Sequence, residues 1–166
     1  IDSSDPANVP GEILVRGANV FLGYFKNDDA TDSVFTDDGW FKTGDMGVID
    51  EDGCLFIKGR TKCMILGPSG QNIYTEEVET VINSQPYVVD SLVVEDNGGL
   101  TALIYPDFAQ GAKDGMNQDV FIKFMEDTLP ELNKELPNYA KLKKIEIMSE
   151  DFERTPKKSI KRYLYQ

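Results

Sequence analysis

Short polar stretches with the composition of a ligand site occur at several points of the sequence, and GWFKTGD (residues 39–45) is the first. Asp45 follows a Thr-Gly pair that is typical of a turn. An ionised carboxylate accepts two hydrogen bonds at once, and the vicinal hydroxyls of a ribose offer two such donors. Asp45 is therefore a candidate sugar-binding residue, and the alternative is a carboxylate that only caps a turn.

Two further stretches follow along the chain. In GRTK (residues 59–62), Arg60 carries a planar fork of donors that suits a sugar or a phosphate, and the alternative is an arginine paired with a surface acid. In ILGPSGQNIYTEEVE (residues 65–79), Gly67 and Gly70 lie in a loop that leads into a helix. Glycines let the backbone approach a ligand closely, but the loop matches neither GxxxxGK nor GxGxxG. A plain connecting loop is the alternative.

A cluster of cations occupies RTPKKSIKRYLYQ (residues 154–166) in an otherwise acidic protein. The cluster consists of Arg154, Lys157, Lys158, Lys161 and Arg162. With 17 Lys and Arg against 29 Asp and Glu, the formal net charge is −12, so the average surface repels nucleic acid and anionic membranes. We therefore predict no nucleic-acid partner. The alternative for the cations is a solvated basic tail.

Composition excludes several kinds of chemistry and localisation. The sequence contains no histidine, which rules out histidine-based triads and imidazole general bases within it. Cys54 and Cys63 lack the spacing of metal ligands and of secreted disulfide frameworks, so a cytoplasmic location is expected. No apolar run approaches about 18 residues, which argues against a membrane span. Residues 1–10 fit a connecting loop without an initial methionine, which predicts a piece of a longer protein.

Apolar patterns and turn signals predict an α+β fold with a boundary near residues 60–62. Residues 1–60 are predicted to be β-rich, with a strand at GEILVR (11–16) and a hairpin turn at Asp52-Gly53. Residues 61–166 are predicted to follow a βαββαβ order, which is typical of a split βαβ sandwich.

The two helices of that second part carry apolar side chains at helical spacing. The first, TEEVETVINS, begins with acidic residues and places Val78, Val81 and Ile82 on one face. The second lies within residues 118–135 and should break or kink at Pro130. It is predicted to bury Val120, Phe121, Phe124, Met125 and Leu129.

The order and spacing of four motifs resemble the C-terminal part of the adenylate-forming (AMP-forming) acyl-CoA synthetases, most closely the long-chain fatty acid CoA ligases. The motifs are GEILVRGANVFLGY, GWFKTGD, GRTKCMILGPSGQNIYTEEVE and the Lys-rich terminus. The resemblance covers residues 11–162. It implies that residues 1–60 are the end of a large N-terminal adenylation domain and that residues 61–166 are a mobile C-terminal lid domain.

The resemblance implies a two-step ligase that uses ATP and coenzyme A. A carboxylic acid, expected to be a fatty acid, attacks the α-phosphorus of ATP to give an acyl adenylate, and the thiol of coenzyme A then displaces AMP. By likeness, Asp45 holds the ribose hydroxyls and Arg60 contacts the same nucleotide. Lys62 matches the hinge position, and Ser69 and Gly70 match a loop that lines the pantetheine tunnel.

The resemblance also gives the terminal cations a role, because family members place a lysine there that bridges the carboxylate and the α-phosphate. That lysine stands two residues before a Lys-Arg pair, which is Lys161-Arg162 here, and the position holds Ser159. Serine cannot supply the charge. Either Lys158 replaces it with a one-residue shift, or Lys161 serves, or the protein adenylates poorly. A milder departure is Thr75, which stands where many relatives have proline and is expected to cap its helix.

The phosphate loop, the acyl pocket and the magnesium-binding glutamate of the family have no counterpart in this sequence. The chain is therefore not expected to be active alone, and Mg²⁺ is expected to bind elsewhere in the enzyme, with no metal ligand in this chain. Exposed strand edges and apolar faces in residues 1–60 make self-association possible. Two rival functions are a carrier-protein-loading adenylation domain and a non-catalytic interaction module.

Overall fold

The computed structural model describes residues 1–67 and 70–165, and the chain divides into two compact units. Unit 1 comprises Ile1–Met64 and unit 2 comprises Ile65–Gln166. The division falls a few residues beyond Arg60, because the 3-10 turn Thr61–Cys63 still contacts the sheet of unit 1.

Unit 1 is built on a three-stranded antiparallel sheet in the order β1-β2-β3. Its elements are β1 (Gly11–Val15), α1 (Asp28–Val34), β2 (Phe41–Ile49) and β3 (Leu55–Arg60). The predicted strand at residues 11–16 and the hairpin at Asp52-Gly53 are confirmed, since Ile49 pairs with Leu55 across that turn. Helix α1 was not predicted from the sequence. It begins where the side chain of Asn27 accepts a hydrogen bond from the Ala30 N–H (3.1 Å).

Large apolar side chains remain exposed on unit 1. Leu22 is 99% exposed, Phe25 is 89% exposed and Ile57, on β3, is 69% exposed. Exposed side chains of this size are usually covered by other protein where they lie next to one another. Self-association of the chain stays a prediction.

Unit 2 combines a two-stranded ribbon, a three-stranded sheet and four helices among its described residues. In chain order the elements are β4 (Met64–Leu66), which begins at the boundary, then β5 (Asn72–Tyr74), α2 (Thr75–Asn83), β6 (Val88–Asp96), β7 (Gly99–Pro106), α3 (Phe108–Lys113), α4 (Gln118–Asp127), α5 (Leu129–Glu135) and β8 (Leu142–Ile147). The predicted α+β class is confirmed, with helices and strands in both units.

The sheet of unit 2 has the order β6-β7-β8, in which β6 and β7 are antiparallel and β7 and β8 are parallel. The observed sheet differs from the predicted βαββαβ order in one respect, because the first strand of this part, β4, does not join β6, β7 and β8. Instead β4 pairs with β5, and the Gly67 N–H donates to the Gln71 carbonyl (2.8 Å) to close the ribbon locally.

The two faces of this sheet are covered differently. Helices α2, α4 and α5 bury one face in a core formed by Ile82, Val93, Ala102, Ile104, Phe121, Met125 and Leu132, among others. The opposite face carries Leu92, Val94 and Leu103 against Phe152, with Ile160 and Tyr165 packed at its margin. The terminal residues of the chain are therefore attached to the sheet rather than extended into solvent.

Two predictions about the second helix had different outcomes. The break at Pro130 is confirmed, since α4 ends at Asp127 and Pro130 lies in the first turn of α5. The prediction that Val120 and Phe124 are buried is wrong, because they are 52% and 41% exposed. Phe121 and Met125 take the inward face of α4, which leaves Phe124 on its flank against the ring of Tyr87 (5.7 Å between ring centroids).

A glycine on α3 allows a close contact with the core. A Cβ at Gly111 would lie 2.7 Å from the ring of Phe121, which is 1% exposed. Glycine to alanine usually stabilises a helix interior by about 1 kcal/mol, but crowding a packed core costs about 1–3 kcal/mol. We therefore expect Gly111→Ala to destabilise the chain by about 1 kcal/mol in urea unfolding curves. Ala112→Ser, an exposed change next to it, should stay within about 0.5 kcal/mol, and a more stable Gly111→Ala protein would contradict this packing.

Candidate active site

Asp45 lies inside strand β2, at a bulge fixed by neighbouring side chains. Gly44 has a left-handed φ of 75°, and its N–H donates to Glu12 Oε1 (2.9 Å). The Asp45 N–H donates to Thr43 Oγ1 (3.1 Å), and the Thr43 hydroxyl donates to the carbonyl of Ile13 on β1 (2.8 Å). The Thr-Gly pair therefore does not end the strand as a turn would. It bends a continuous strand and fixes the direction of the Asp45 side chain.

The structure brings Asp45 and Arg60 together. They are directly opposite each other on β2 and β3, and the Arg60 Nε donates to Asp45 Oδ1 (2.8 Å). The structure thus shows the alternative in which Arg60 pairs with an acid. That acid is Asp45, the other candidate site residue. The Asp45 side chain is 33% exposed and that of Arg60 is 60% exposed. Asp45 Oδ2 accepts no hydrogen bond from the described residues, so it is open to a donor from solution.

The hinge and loop candidates lie close to the boundary between the units. Lys62 is exposed within the 3-10 turn Thr61–Cys63. Gly70 is exposed with a left-handed φ of 80°, and its N–H donates to the Gly67 carbonyl (2.9 Å). Ser69, the other predicted loop residue, lies outside the described residues.

A groove of about 590 Å³ opens beside this ribbon within unit 2. Its floor is apolar, with Ile65, Ile73 and Leu100, and its polar lining includes Tyr139 and Lys141. The remaining lining residues are Leu66, Gly67, Glu95, Gly98, Gly99 and Asn138. An apolar groove with a few polar groups is typical of a small-molecule site.

The predicted basic tail forms a terminal hairpin, defined here as residues 153–161. Arg154 and Ile160 pair as an antiparallel bridge, and the Lys161 N–H donates to the Glu153 carbonyl (2.8 Å). At the tip, the Thr155 N–H donates to the Ser159 carbonyl (2.8 Å) and the Lys158 N–H donates to the Thr155 carbonyl (2.8 Å). The segment is therefore a folded turn with defined backbone contacts.

Among the described residues of unit 2, three of the five terminal cations form ion pairs, and the first two are Arg154 and Lys161. Arg154 contacts Asp90 on β6 (2.7 Å) and Asp151 (3.0 Å), and these bonds raise the pKa of its guanidinium and lower the pKa of Asp151. Lys161 Nζ contacts the Glu153 carboxylate (3.0 Å), which raises the pKa of the Lys161 ammonium. These cations therefore have structural partners within unit 2.

Arg162 attaches the residues after the hairpin to helix α2. Its guanidinium forms a bidentate pair with the Glu79 carboxylate and donates to the hydroxyl of Thr75 (3.0 Å). Glu79 also accepts a hydrogen bond from the Val93 N–H on β6 (2.8 Å). Burial raises the pKa of the Glu79 carboxyl, and Arg162 offsets part of that rise. The expectation that Thr75 caps the helix is wrong, because Tyr74 precedes the first turn and Thr75 is buried under Arg162.

The remaining candidates lie at the tip of the hairpin. Lys157, Lys158 and Ser159 are all exposed. Lys158 has a left-handed φ of 64°, and its carbonyl accepts a hydrogen bond from Arg154 Nη1 (3.3 Å). Its Nζ forms no ion pair with any residue in the described part of the chain. Lys158 thus differs from Lys161, whose ammonium is already paired.

Sequence reasoning missed the acids that hold these groups. Glu12 fixes the bulge before Asp45, and Glu79 and Asp90 hold two of the terminal arginines. One signal was available for Glu79, which shares the apolar face of α2 with Val78 and Ile82. A carboxylate on a buried helix face requires a cationic partner, although its identity cannot be read from local spacing.

Comparison with known proteins assigns the chain to a family of AMP-binding enzymes. Residues 64–165 match the family model described as AMP-binding enzyme C-terminal domain. The chain belongs to this family.

Several of its curated relatives are named as acid–CoA ligases. Long-chain-fatty-acid–CoA ligase FadD15 of Mycobacterium tuberculosis is 48% identical over 86 residues, which cover 52% of this chain and 14% of that protein. The 2-succinylbenzoate–CoA ligase of Bacillus cytotoxicus is 46% identical over 89 residues, which cover 54% of this chain and 18% of that protein. The aligned part thus spans less than a fifth of either relative.

Solved structures extend the similarity over nearly the whole chain. ATP-bound MatB from Rhodopseudomonas palustris has a TM-score of 0.71 at 32% identity, covering 96% of this chain and 30% of that one. O-succinylbenzoate coenzyme A synthetase (MenE) from Bacillus subtilis, in complex with AMP, has a TM-score of 0.72 at 28% identity, covering 95% of this chain and 30% of that one. The chain therefore corresponds to about a third of the length of these proteins.

No helix in residues 1–67 and 70–165 is long and apolar enough to span a membrane.

Proposed function

We propose that this chain is the C-terminal part of an ATP-dependent acyl-CoA ligase that forms an acyl adenylate and then a coenzyme A thioester. Unit 1 supplies the end of the large adenylation domain and unit 2 supplies the mobile lid. The observation that carries the proposal is the Asp45–Arg60 pair, because it holds a partly exposed carboxylate and an exposed guanidinium side by side on paired strands. The family membership of the chain and the names of its relatives support the same function.

Asp45 is proposed to bind the ribose of ATP. Its Oδ1 is held by Arg60, which fixes the plane of the carboxylate while Oδ2 remains open. Hydrogen bonds from ribose hydroxyls to an ionised acceptor are stronger than those between neutral groups. Arg60, whose side chain is 60% exposed, is proposed to contact the same nucleotide, and its contact with Asp45 limits the entropy lost when ATP binds.

Asp45→Asn in the complete enzyme should therefore raise the KM for ATP by about 10-fold, because the loss of a charged acceptor weakens these hydrogen bonds by about 1.5 kcal/mol. The amide is isosteric and keeps an acceptor for Arg60. Asp38→Asn is the matched control, since Asp38 is an exposed, hydrogen-bonded acid of the same unit. Initial rates at varied ATP measure the effect. An ATP KM that is equal in both variants would contradict the role of Asp45.

Of the two lysines that could serve as the terminal cation, Lys158 and Lys161, the contacts favour Lys158. Lys161 is paired with Glu153, so its use in the reaction would require breaking that ion pair. Ser159 has no charge, and its carbonyl is engaged in the hairpin. Lys158 is exposed at the tip, next to the position where the family lysine is expected. We therefore assign Lys158 to the developing charge at the α-phosphorus.

Coenzyme A is proposed as the thiol acceptor. Gly70 and Ser69 keep the pantetheine role that the resemblance implies, and the groove beside the ribbon supports it with an apolar floor and the cationic Lys141. Lys62 is proposed as the hinge residue between the two half-reactions, which fits its place in a short turn next to the unit boundary. The proposal assigns Mg²⁺ to the part of the enzyme outside this chain.

A fatty acid is the proposed carboxylic acid, supported by the long-chain ligases among the relatives. The test is thioester formation by the complete enzyme from ATP, coenzyme A and a panel of long-chain, short-chain and aromatic carboxylic acids. The proposal expects kcat/KM to be highest for a long-chain fatty acid. A preference for an aromatic acid would overturn the fatty acid assignment and leave the ligase intact, whereas no adenylate from any acid would overturn the proposed function.

One observation favours the rival in which a carrier protein replaces coenzyme A. Val120 and Phe124 expose an apolar strip on α4, which is the kind of face that a docked helix would cover. Supplying coenzyme A and a pantetheinylated carrier protein as alternative acceptors separates the two. Thioester on coenzyme A alone supports the ligase, and thioester on the carrier alone supports the rival.

A further inference from the structure

The tip of the terminal hairpin is held by the side chain of Arg154, which lies at the base of the same hairpin. Lys158 occupies the left-handed region of backbone conformation, which is uncommon for a residue with a side chain and costs about 1 kcal/mol. The Lys158 N–H is bound to the Thr155 carbonyl (2.8 Å), so the turn defines where the lysine points. Its carbonyl accepts a hydrogen bond from Arg154 Nη1 (3.3 Å).

Arg154 can hold this carbonyl because its other terminal nitrogen is anchored. Nη2 donates to Asp90 Oδ2 on β6 (2.7 Å) and to Asp151 Oδ1 (3.0 Å). The Arg154 side chain is 31% exposed and that of Asp90 is 22% exposed, so the pair is shielded compared with the surface ion pairs of the chain. A planar guanidinium thus links the central sheet to the backbone of Lys158 through one rigid group.

The base of the hairpin has independent attachments. Arg162 pairs with Glu79 on α2, and Ile160 and Tyr165 pack against the sheet. These contacts do not pass through Arg154. Changing the Arg154 side chain should therefore leave the terminal segment docked and alter only the geometry at the tip.

We propose that Arg154 is a positioning residue for adenylate formation, which orients Lys158 by linking its carbonyl to Asp90. The inference rests on the proposed function, in which Lys158 stabilises charge at the α-phosphorus. Such stabilisation requires a donor within hydrogen-bond distance of the developing charge, so an angular change at the tip lowers kcat. The KM for ATP should change little, because Arg154 does not contact the nucleotide in this scheme.

Arg154→Lys in the complete enzyme isolates this link. A lysine keeps a positive charge beside Asp90 and Asp151, but its single ammonium cannot hold the carboxylates and the Lys158 carbonyl in the fixed geometry of a fork. We expect kcat for ATP–pyrophosphate exchange to fall about 10-fold. The KM for ATP should stay within about 2-fold, and the melting temperature should stay close to that of the unchanged enzyme.

The combination with Lys158→Ala tests whether Arg154 acts through Lys158. If it does, the double variant should exchange pyrophosphate at the rate of Lys158→Ala alone, within about 2-fold, because nothing remains to be positioned. If Arg154 has only a structural role, the decrease in exchange rate caused by Arg154→Lys multiplies the decrease caused by Lys158→Ala. That result overturns the inference. Asp90→Asn weakens the same link from the sheet side and should also lower kcat, so it replaces Arg154→Lys if that variant does not fold.

The remaining outcomes separate the inference from the proposed function. An unchanged enzyme that shows no exchange with any carboxylic acid overturns the proposed function, and the inference with it. An active enzyme in which Arg154→Lys and Asp90→Asn both exchange at the normal rate overturns the positioning role alone. Normal exchange by Lys158→Ala also overturns it, since another cation then serves.

Discussion

Lys158→Ala in the complete enzyme is expected to slow acyl-adenylate formation by about 10²–10³-fold, because it removes a preorganised cation from the charge that develops at phosphorus. ATP–pyrophosphate exchange measures this half-reaction directly. The rate of thioester formation from a supplied acyl adenylate should stay within about 3-fold of that of the unchanged enzyme. The carboxylate is then already activated, and AMP is the leaving group. The split between the two half-reactions identifies the step in which the lysine acts.

Lys157→Ala is the matched control, because Lys157 is an exposed lysine at the same tip. Its exchange rate should remain within about 2-fold of the unchanged enzyme. Lys161→Ala distinguishes the alternatives. A large loss in that variant, with none in Lys158→Ala, would show that Lys161 leaves Glu153 to act as the cation and would contradict the assignment of Lys158.

Glu79→Ala is expected to destabilise unit 2 by about 3 kcal/mol, which is the usual cost of removing one partner from a shielded ion pair. The side chains of Glu79 and Arg162 are 9% and 20% exposed. The change leaves the Arg162 guanidinium without its bidentate partner and the Val93 N–H without its acceptor. Both groups then carry an uncompensated desolvation cost.

Urea unfolding followed by near-ultraviolet circular dichroism measures this change, because the tyrosines all lie in unit 2 except Tyr24. Glu131→Ala is the matched control, since Glu131 pairs with Lys134 at the surface, where the two side chains are 69% and 70% exposed. An exposed pair contributes at most about 0.5 kcal/mol. Equal losses of stability in the two variants would show that the Arg162–Glu79 contact does not anchor the terminal segment.

Local sequence signals predicted the elements whose structure is set by local chemistry. The turn between β2 and β3 was predicted from Asp52-Gly53, and Gly53 has the positive φ (80°) that glycine adopts readily in such turns. Helix α2 was predicted from its acidic first turn and apolar spacing. Both signals lie within ten residues of chain, so no tertiary information was needed to read them.

The pairing of Asp45 with Arg60 illustrates what a sequence leaves open. Regular pairing outward from the turn at Asp52-Gly53 would place Asp45 opposite Gly59. A bulge between Met46 and Gly47 shifts the register by one residue and brings Arg60 opposite Asp45 instead. A one-residue shift moves side chains to the other face of the sheet. The contact between Asp45 and Arg60 therefore depends on a bulge that no residue pattern predicted.

The terminal cations show the same limit at longer range. Their number and spacing predicted a basic tail. In the structure, Arg162 pairs with Glu79, which is 83 residues away in sequence, and Arg154 pairs with Asp90, which is 64 residues away. Such pairs are set by the packing of the sheet, not by neighbours in sequence. The sequence therefore could not separate the anchoring arginines from Lys157 and Lys158 at the exposed tip.

The central claim is that a lysine at the tip of the terminal hairpin completes the adenylation site of an acyl-CoA ligase. ATP–pyrophosphate exchange by the complete enzyme tests it most directly, with Lys158→Ala compared to Lys158→Ala carrying Ser159→Lys. The account predicts loss of exchange in the first variant and recovery of at least about 10-fold in the second, because the neighbouring position returns a cation to the tip. Undiminished exchange by Lys158→Ala would contradict it.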